Sequence, residues 1–291
     1  MDTNAFVSIA MRRLYGVLAA AVVMFLPLQS PVHAAPDGGA SMSRLEEMLK
    51  TANDLAVEEA GRLGVAALPV IRRYVVSESY RSRQMAVRCA GRIGDDRGAD
   101  ILAAGLKDGN FNVQNAAATE LSKKAYPGAV QAILEGLGSG GDEIVREKLA
   151  LAAGYLPGDR TVAVLKSVLV GKGALAANAR MALARLGDVE SRESLISELS
   201  APLPRVRYDA LEKLIYVDDR SYVPHVKRLL SDKAEAVRIG IVEMPRYRRV
   251  CDQAVDTLVS LLDLKVAFPI SPERIYPESD IRTIGEIVRP K

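Results

Sequence analysis

Carboxylates are the first side chains in this sequence that could do chemistry, because they occur in adjacent pairs. Asp95 stands beside Asp96, and Asp218 stands beside Asp219. Two carboxylates act together as general acid and base only when they flank one bond, less than about 10 Å apart. Both pairs lie between helical patterns, where an acidic side chain caps the next helix and complements its dipole. We therefore predict capping residues here and no catalytic pair.

Side chains that bind metals or act as nucleophiles are scarce. Apart from His33 near the N-terminus, the only histidine is His225, and the only cysteines are Cys89 and Cys251. The sequence contains no Cys-x-x-Cys-His motif, no Gly-rich phosphate loop followed by Lys and Ser or Thr, and no Gly-x-Ser-x-Gly nucleophile elbow. We predict no catalytic residue, no metal site and no cofactor. Cys89 is expected to be a small, partly buried hydrophobic residue.

Arginine recurs at one position of a repeating pattern. The column contains Arg83, Gln114, Arg146, Ala176, Arg207 and Arg238. A guanidinium group can bind a carboxylate or phosphate with two parallel hydrogen bonds, so these residues could form an edge that binds a partner. The favoured interpretation is that they pair with acidic residues of neighbouring turns as a structural ladder, with Asp232 a candidate for Arg238. The sequence leaves both interpretations open. A further cluster, Arg246, Arg248 and Arg249, is expected to lie on a solvated helix surface.

The elements that carry these residues repeat along the chain. Apolar anchors recur every 30 to 32 residues. They are Val75, Leu106, Leu137, Leu169, Leu199, Leu230 and Leu261. Turns rich in Gly and Asp, such as Gly94-Asp95 and Gly187-Asp188, follow the same interval. A fixed period of this length is typical of stacked two-helix repeats rather than of a globular enzyme domain.

Each predicted repeat has a first helix that carries the anchor and a second helix with an apolar stripe. One stripe position holds Ala86, Ala117, Leu149, Ala179, Ala210 and Ile241. Four residues later stand Ala90, Leu121, Ala153, Leu183, Leu214 and Pro245. Residues spaced by four lie on one helical face, and small residues on that face let neighbouring repeats pack closely. The seven anchors predict seven first helices.

These residues resemble the HEAT-repeat family, and within it the short repeats of phycobilisome-lyase type. The resemblance rests on three features: the Val-Arg pairs 145–146, 206–207 and 237–238, the Ala-Arg-Leu-Gly-Asp turn 184–188, and the early prolines Pro69 and Pro224. It covers about residues 55–264 and implies an all-α solenoid of about six to seven helix pairs. The resemblance concerns packing residues, so it indicates fold and not function. Deoxyhypusine hydroxylases of this group bind iron through His-Glu pairs, and none occurs here.

The N-terminal residues favour export. Arg12 and Arg13 precede an apolar stretch, Leu14 to Leu28, which is shorter than the roughly 20 residues of a spanning helix. We predict a signal peptide over residues 1–34 with cleavage after Ala34, a mobile linker over 35–43, and no stable membrane insertion of the mature chain. Without residues 1–34 the chain has 37 basic and 35 acidic side chains, so its charge indicates no partner.

The predicted solenoid occupies residues 44–264. Beyond it, residues 265–291 form a Pro-rich extension in which 278–288 favour a closing helix. We predict a non-enzymatic scaffold, periplasmic or secreted, that binds a protein or peptide on its concave surface and does not bind nucleic acid. Two alternatives remain open: a lyase-like enzyme that acts on a chromophore or cofactor, with bilin attachment to Cys89 as one form, and a structural spacer in an envelope assembly.

Overall fold

A computed structural model describes residues 38–170, 173–241 and 244–289. The predicted signal peptide and its cleavage point after Ala34 lie outside the described residues. Within the described part, residues 38–182 belong to one compact unit and residues 183–289 to another.

The unit of residues 38–182 consists of alternating first and second helices. Its first helices are α1 (Gly38–Lys50), α3 (Leu68–Tyr74), α5 (Ala99–Leu106), α7 (Val130–Gly138) and α9 (Asp159–Ser167). Its second helices are α2 (Leu55–Leu63), α4 (Tyr80–Ile93), α6 (Phe111–Leu121), α8 (Glu143–Ala153) and most of α10 (Ala174–Arg185). The second helices α2, α4, α6 and α8 pack side by side in chain order.

Short polar side chains begin the second helices. The side chains of Ser79, Asn110 and Asp142 accept hydrogen bonds from backbone N–H groups in the first turns of α4, α6 and α8. These bonds satisfy donors that have no partner within the helix. At the other end of α4, Gly94 has a φ of 68° and closes the helix with a hydrogen bond to the Ala90 carbonyl. Local sequence therefore sets both ends of α4.

Small residues allow the helices of this unit to approach closely. Ala86, Ala117 and Leu149 of the predicted stripe are completely buried. Gly105 of α5 faces the same layer, where a Cβ atom would lie 2.7 Å from Val87 Cγ2 and 3.0 Å from Ala117 Cβ. The predicted core stripe is confirmed here, and a larger residue at position 105 would overpack it.

The unit of residues 183–289 continues the pattern and then departs from it. It contains α11 (Val189–Leu199), α12 (Pro204–Val217) and α13 (Val223–Arg228). A β-hairpin follows, in which β1 (Glu235–Ile239) pairs antiparallel with β2 (Arg246–Arg249). The chain then forms α14 (Val250–Leu262) and, after a segment without regular structure, α15 (Glu278–Ile287).

The hairpin contradicts the second helix predicted from Val237. Ile241 is 63% exposed and Pro245 is also exposed, although both belong to the predicted buried stripe. The residues of β1 alternate between exposed and buried, with Val237 and Ile239 buried against Tyr208 of α12. Alternation with a period of two is a strand pattern, and Pro245 cannot donate in a helix interior. The hairpin is an insertion between the two helices of one repeat.

Helix α14 supplies the second helix of that repeat. It packs against α12 and α13, and its residues from Val250 to Leu258 are all buried. The anchor Leu261 therefore lies on a second helix. The prediction that Leu261 marks the seventh of the first helices is wrong. Because the length of the hairpin leaves the spacing between anchors unchanged, the spacing alone assigns Leu261 to the wrong helix of the repeat.

One predicted boundary is wrong at the N-terminal side. Residues 38–43, expected to belong to a mobile linker, form the beginning of α1, and Ser41 and Leu45 of this helix are buried. Small residues such as Gly39 and Ser41 have low or average helix propensity, but tertiary packing of α1 against α2 and α3 overrides it.

The substitution Gly240→Ala distinguishes the hairpin from the predicted helix, because its effect on stability has opposite signs in the two structures. Gly240 has a φ of 83°, and a Cβ atom there would lie 2.9 Å from the Met244 carbonyl oxygen. We expect the substitution to lower the free energy of unfolding by about 1–3 kcal/mol, whereas in a helix it would raise it by about 1 kcal/mol. Urea denaturation of Gly240→Ala and of the control Gly109→Ala, which has open space around its Cβ position, measures the difference.

Candidate functional site

Two arginines of the predicted column form ion pairs between successive repeats. Arg83 of α4 donates from Nε to Asp108 Oδ2 at 2.6 Å and from Nη2 to Asp108 Oδ1 at 3.0 Å. Its Nη1 group donates to the carbonyls of Ser77 and Glu78. Asp108 lies in the turn before the next second helix, α6. The Arg83 guanidinium therefore closes the turn before α4 and connects this turn to the next repeat.

Arg207 of α12 repeats this arrangement. Its Nε donates to Asp232 Oδ2 at 2.7 Å, and its Nη1 donates to the carbonyls of Ala201 and Pro202. In both cases the carboxylate follows the arginine by 25 residues. Asp232 thus pairs with Arg207, one repeat earlier than the Arg238 partner suggested by the sequence.

The other members of the column lie in different surroundings. Gln114 donates to the Asp108 carbonyl at 2.6 Å, and Arg146 donates to the Leu137 carbonyl at 3.0 Å. Arg238 is exposed on β1 and is not on a helix. The column is therefore a structural ladder at Arg83 and Arg207, a turn-closing position at Gln114 and Arg146, and an unrelated surface position at Arg238.

Removing one ladder arginine should destabilise the chain in a pH-dependent way. We expect Arg83→Ala to cost about 1.5–3 kcal/mol at neutral pH, because hydrogen bonds between charged groups are lost. The Arg83 hydrogen bond lowers the pKa of Asp108, so this contribution is present above the ordinary aspartate pKa and is lost as the pH falls through the lowered value. Urea denaturation between pH 7 and pH 3 should show the difference between wild type and Arg83→Ala shrinking in acid.

The control for this prediction is Arg81→Ala. Arg81 is exposed on the same helix, and its guanidinium contacts the ring and hydroxyl of the adjacent Tyr80. We expect a change below about 0.5 kcal/mol with no acid dependence. An equal loss in both variants would contradict a specific contribution of the ion pair between Arg83 and Asp108.

Asp95 and Asp219 cap the turns that follow them, as the sequence predicts. Asp95 accepts from the Arg97 backbone N–H at 3.0 Å, and the Arg97 side chain lowers the pKa of Asp95 to about 2. Asp96 accepts from the Gly128 N–H of the next repeat at 3.0 Å. Asp219 accepts from the Ser221 N–H at 2.8 Å. Each of these three carboxylates serves the geometry of a turn.

The two thiols are poor nucleophiles. Cys89 and Cys251 are both free and completely buried. Burial raises the pKa of Cys89 to about 12 and that of Cys251 to about 11. Since the thiolate is the reactive form, neither residue offers a site for bilin attachment in this conformation. In the described part of the chain, no three His, Cys, Asp or Glu side chains are placed together to hold a metal ion.

A buried polar cluster in residues 183–289 was not predicted from the sequence. Arg248 of β2 is completely buried, although the sequence indicates a solvated helix surface for it. Its Nη2 donates to Asp256 Oδ2 at 2.8 Å. Its Nη1 lies within hydrogen-bond distance of Tyr208 Oη, Gln253 Oε1 and the Pro272 carbonyl. The guanidinium also lies 5.7 Å from the centre of the Tyr208 ring.

Tyr276 completes this cluster from the C-terminal segment. Its hydroxyl donates to Asp256 Oδ1 at 2.5 Å, and its backbone N–H donates to Asp252 Oδ1 at 2.9 Å. Arg249 bridges Asp252 and the Tyr276 carbonyl at 2.7 Å each. Burial raises the pKa of Asp256, and burial together with the neighbouring carboxylate raises the pKa of Tyr276. The cluster fastens the hairpin and residues 265–277 to α14.

The second helices of residues 38–182 carry a surface of partly buried polar groups. Lys148 of α8 donates to Asn115 Oδ1 and, at 2.7 Å, to Thr119 Oγ1 of α6. Asn178 of α10 donates to the Glu147 carbonyl at 3.0 Å. Burial lowers the pKa of Lys148 and raises that of Glu147. Side-chain hydrogen bonds therefore connect neighbouring second helices, which makes this surface rigid.

Helix pairs in series, with small residues between them and arginine-aspartate ion pairs from one repeat to the next, are features of a HEAT-like repeat fold. The sequence matches no protein-family model and no curated protein. Comparison with solved structures gives a match to the complex of CpcE and CpcF of phycocyanin lyase from Nostoc sp. PCC7120. The TM-score is 0.55 at 17% identity, over 93% of this chain and 100% of that chain.

Two further structures are less similar. The archaeal HEAT-like repeats protein from Thermococcus onnurineus NA1 has a TM-score of 0.41 at 15% identity, over 76% of this chain and 97% of that chain. Human deoxyhypusine hydroxylase has a TM-score of 0.36 at 18% identity, over 86% of this chain and 95% of that chain. The chain has the HEAT-like repeat fold that the sequence predicts. In the described residues, no helix is both long enough and apolar enough to cross a membrane.

Proposed function

We propose that this chain is a non-enzymatic, exported scaffold that binds a protein or peptide through the surface formed by its second helices. The observation that carries the proposal is the crosslinking of neighbouring second helices by Lys148, Asn115 and Asn178. A surface held in this way loses little conformational entropy when a partner docks. Stacked repeats commonly offer such extended surfaces for binding. The similar solved structure is itself a complex of two chains.

Capture of a partner tests this function. The protein, isolated from the cell envelope, should have Ala35 as its first residue and should retain one partner in stoichiometric amount from envelope extract. Gln84 is partly buried on the second-helix surface, and Ala104 is exposed on the first helix α5. We expect Gln84→Arg to reduce capture and the matched variant Ala104→Arg to leave it unchanged. Capture that responds equally to both variants, or no partner at all, would contradict the proposal.

A second candidate function is a lyase-like activity on a chromophore. It is favoured by one observation, the similarity in fold to the phycocyanin lyase complex. This alternative predicts that the purified protein binds a bilin and shifts its visible absorption. Titration with a free bilin separates the two functions, since a scaffold for proteins should leave the bilin spectrum unchanged.

A further inference from the structure

Two consecutive residues in the middle of α8 carry opposite charges and form no ion pair within the described residues. Glu147 and Lys148 are both partly buried. Lys148 Nζ donates to two neutral oxygens, Asn115 Oδ1 and Thr119 Oγ1 of α6. The Glu147 carboxylate accepts no hydrogen bond from the part of the chain that the structure describes. Charged side chains that are removed from water are normally paired, so this site differs from the arginine-aspartate pairs of the ladder.

The surroundings of both side chains disfavour their charged forms. Burial raises the pKa of Glu147, and the nearby carboxylates of Glu143 and Asp142 add to this effect. Burial lowers the pKa of Lys148. An opposite charge supplied from outside would favour each charged form again. The two residues therefore fit a partner that brings an acidic group to Lys148 and a basic group to Glu147.

Amide side chains beside these charges keep open hydrogen-bonding groups. Lys148 uses the side-chain oxygen of Asn115, and Asn178 uses its side-chain nitrogen to bond the Glu147 carbonyl. This leaves the amide nitrogen of Asn115 and the amide oxygen of Asn178 without a partner among the described residues. An extended segment has main-chain N–H and C=O groups that are not bonded within the segment, whereas a helix satisfies its own. The two amides therefore fit an extended segment better than a helix.

We propose that the surface around Glu147 and Lys148 binds an extended segment of a partner protein, with an acidic and a basic side chain two residues apart. Side chains two residues apart lie on the same side of an extended chain, about 6–7 Å apart. Lys148 Nζ lies at α6 and Glu147 belongs to α8, and packed helices lie about 8–10 Å apart. Long side chains on the segment can span the difference. This inference rests on the proposed scaffold function and names the chemistry of its partner.

The test uses an eleven-residue peptide with a glutamate and a lysine two residues apart at its centre and serine and threonine elsewhere. We call it the double-charge peptide. Two control peptides carry glutamine in place of the glutamate or in place of the lysine. Fluorescence anisotropy with the full chain should show binding of the double-charge peptide that is about tenfold or more tighter than that of either control, because each control loses a hydrogen bond between charged groups.

Glu147→Gln keeps the shape of the side chain and removes its charge. We expect it to weaken binding of the double-charge peptide by about tenfold and to leave the affinity for the peptide without lysine unchanged, since the two changes remove the same interaction. Glu135 is exposed on the first helix α7, so Glu135→Gln is the matched control and should bind as wild type does. Equal affinity of wild type and Glu147→Gln for the double-charge peptide would overturn the inference.

The same substitution should make the free chain more stable. Glu147→Gln removes a partly buried charge that has no partner, so we expect the melting temperature to rise by about 2 °C or more. Glu198 is a partly buried glutamate that pairs with Lys213, and Glu198→Gln should give no such rise. A lower melting temperature for Glu147→Gln would show that the carboxylate stabilises the fold, and would contradict a role reserved for a partner.

Failure here is distinguishable from failure of the scaffold function. If Glu147→Gln captures the envelope partner as well as wild type does, the surface around Glu147 and Lys148 is not the binding contact, but the scaffold function stands. If no envelope partner is captured while the double-charge peptide binds in the predicted way, this surface is a binding site and the proposed function fails.

Discussion

Arg248→Ala should lower the free energy of unfolding by about 3–5 kcal/mol, one of the two largest losses of stability that we predict for this chain. The substitution leaves the carboxylate of Asp256 buried without its cationic partner and leaves the Pro272 carbonyl without a donor. A buried charge that loses its partner costs far more than a surface ion pair contributes. Urea denaturation monitored by far-UV circular dichroism measures the loss.

Two variants accompany this measurement. Arg246 is exposed on the same strand, so Arg246→Ala should change the stability by less than about 0.5 kcal/mol. The double variant Arg248→Met/Asp256→Leu removes both charges and should recover most of the loss, because apolar residues of similar volume can replace a buried ion pair. If the double variant is as unstable as Arg248→Ala, the loss reflects packing around β2 and not the unpaired carboxylate.

Tyr276→Ala should lower the free energy of unfolding by a similar amount, about 3–5 kcal/mol, as expected for a buried aromatic residue. Tyr276 is 1% exposed, and its ring lies 5.7 Å from the Phe268 ring and 5.4 Å from the Arg274 guanidinium. Loss of the ring should also release residues 265–277 from α14. Limited proteolysis should then cut within this segment at a protease concentration that leaves the wild type intact.

Tyr276→Phe divides this effect into its parts. The phenylalanine keeps the ring contacts and removes only the hydrogen bond to Asp256, so we expect a loss of about 1–3 kcal/mol and no new proteolytic cut. Tyr247, which is 41% exposed, is the control, and Tyr247→Ala should be close to wild type. Cleavage of Tyr276→Phe within residues 265–277 would mean that the hydroxyl, and not the ring, fastens the segment.

The repeat was predictable because its signals are local and redundant. Three second helices begin with a side-chain cap, Ser79, Asn110 and Asp142, and alanine recurs at the same positions of most second helices. An error in one repeat does not disturb the alignment of the others. The ladder was predictable only as one of two alternatives, since a sequence does not reveal which carboxylate lies near Arg83.

The hairpin and the buried cluster were not predictable by the same means. Val237-Arg238 matches the Val-Arg pair of a second helix, and the anchor interval continues to Leu261. Gly240 and Pro245 were the signals against a helix, but they were outweighed by the periodicity of the preceding repeats. Arg248 is buried only because Asp256, Tyr276 and Pro272 meet around it. Contacts over such separations are set by tertiary packing and leave no local pattern.

The fastening of residues 265–277 limits how this chain can be lengthened. A bare final helix is a template on which the opening helix of a second molecule can be laid, and successive additions of this kind produce filaments. Tyr276 occupies part of that template on α14, where it is bonded to Asp252 and Asp256. Insertion of a duplicated 31-residue repeat would therefore be tolerated only before the hairpin. The number of repeats can change on that side of the hairpin alone.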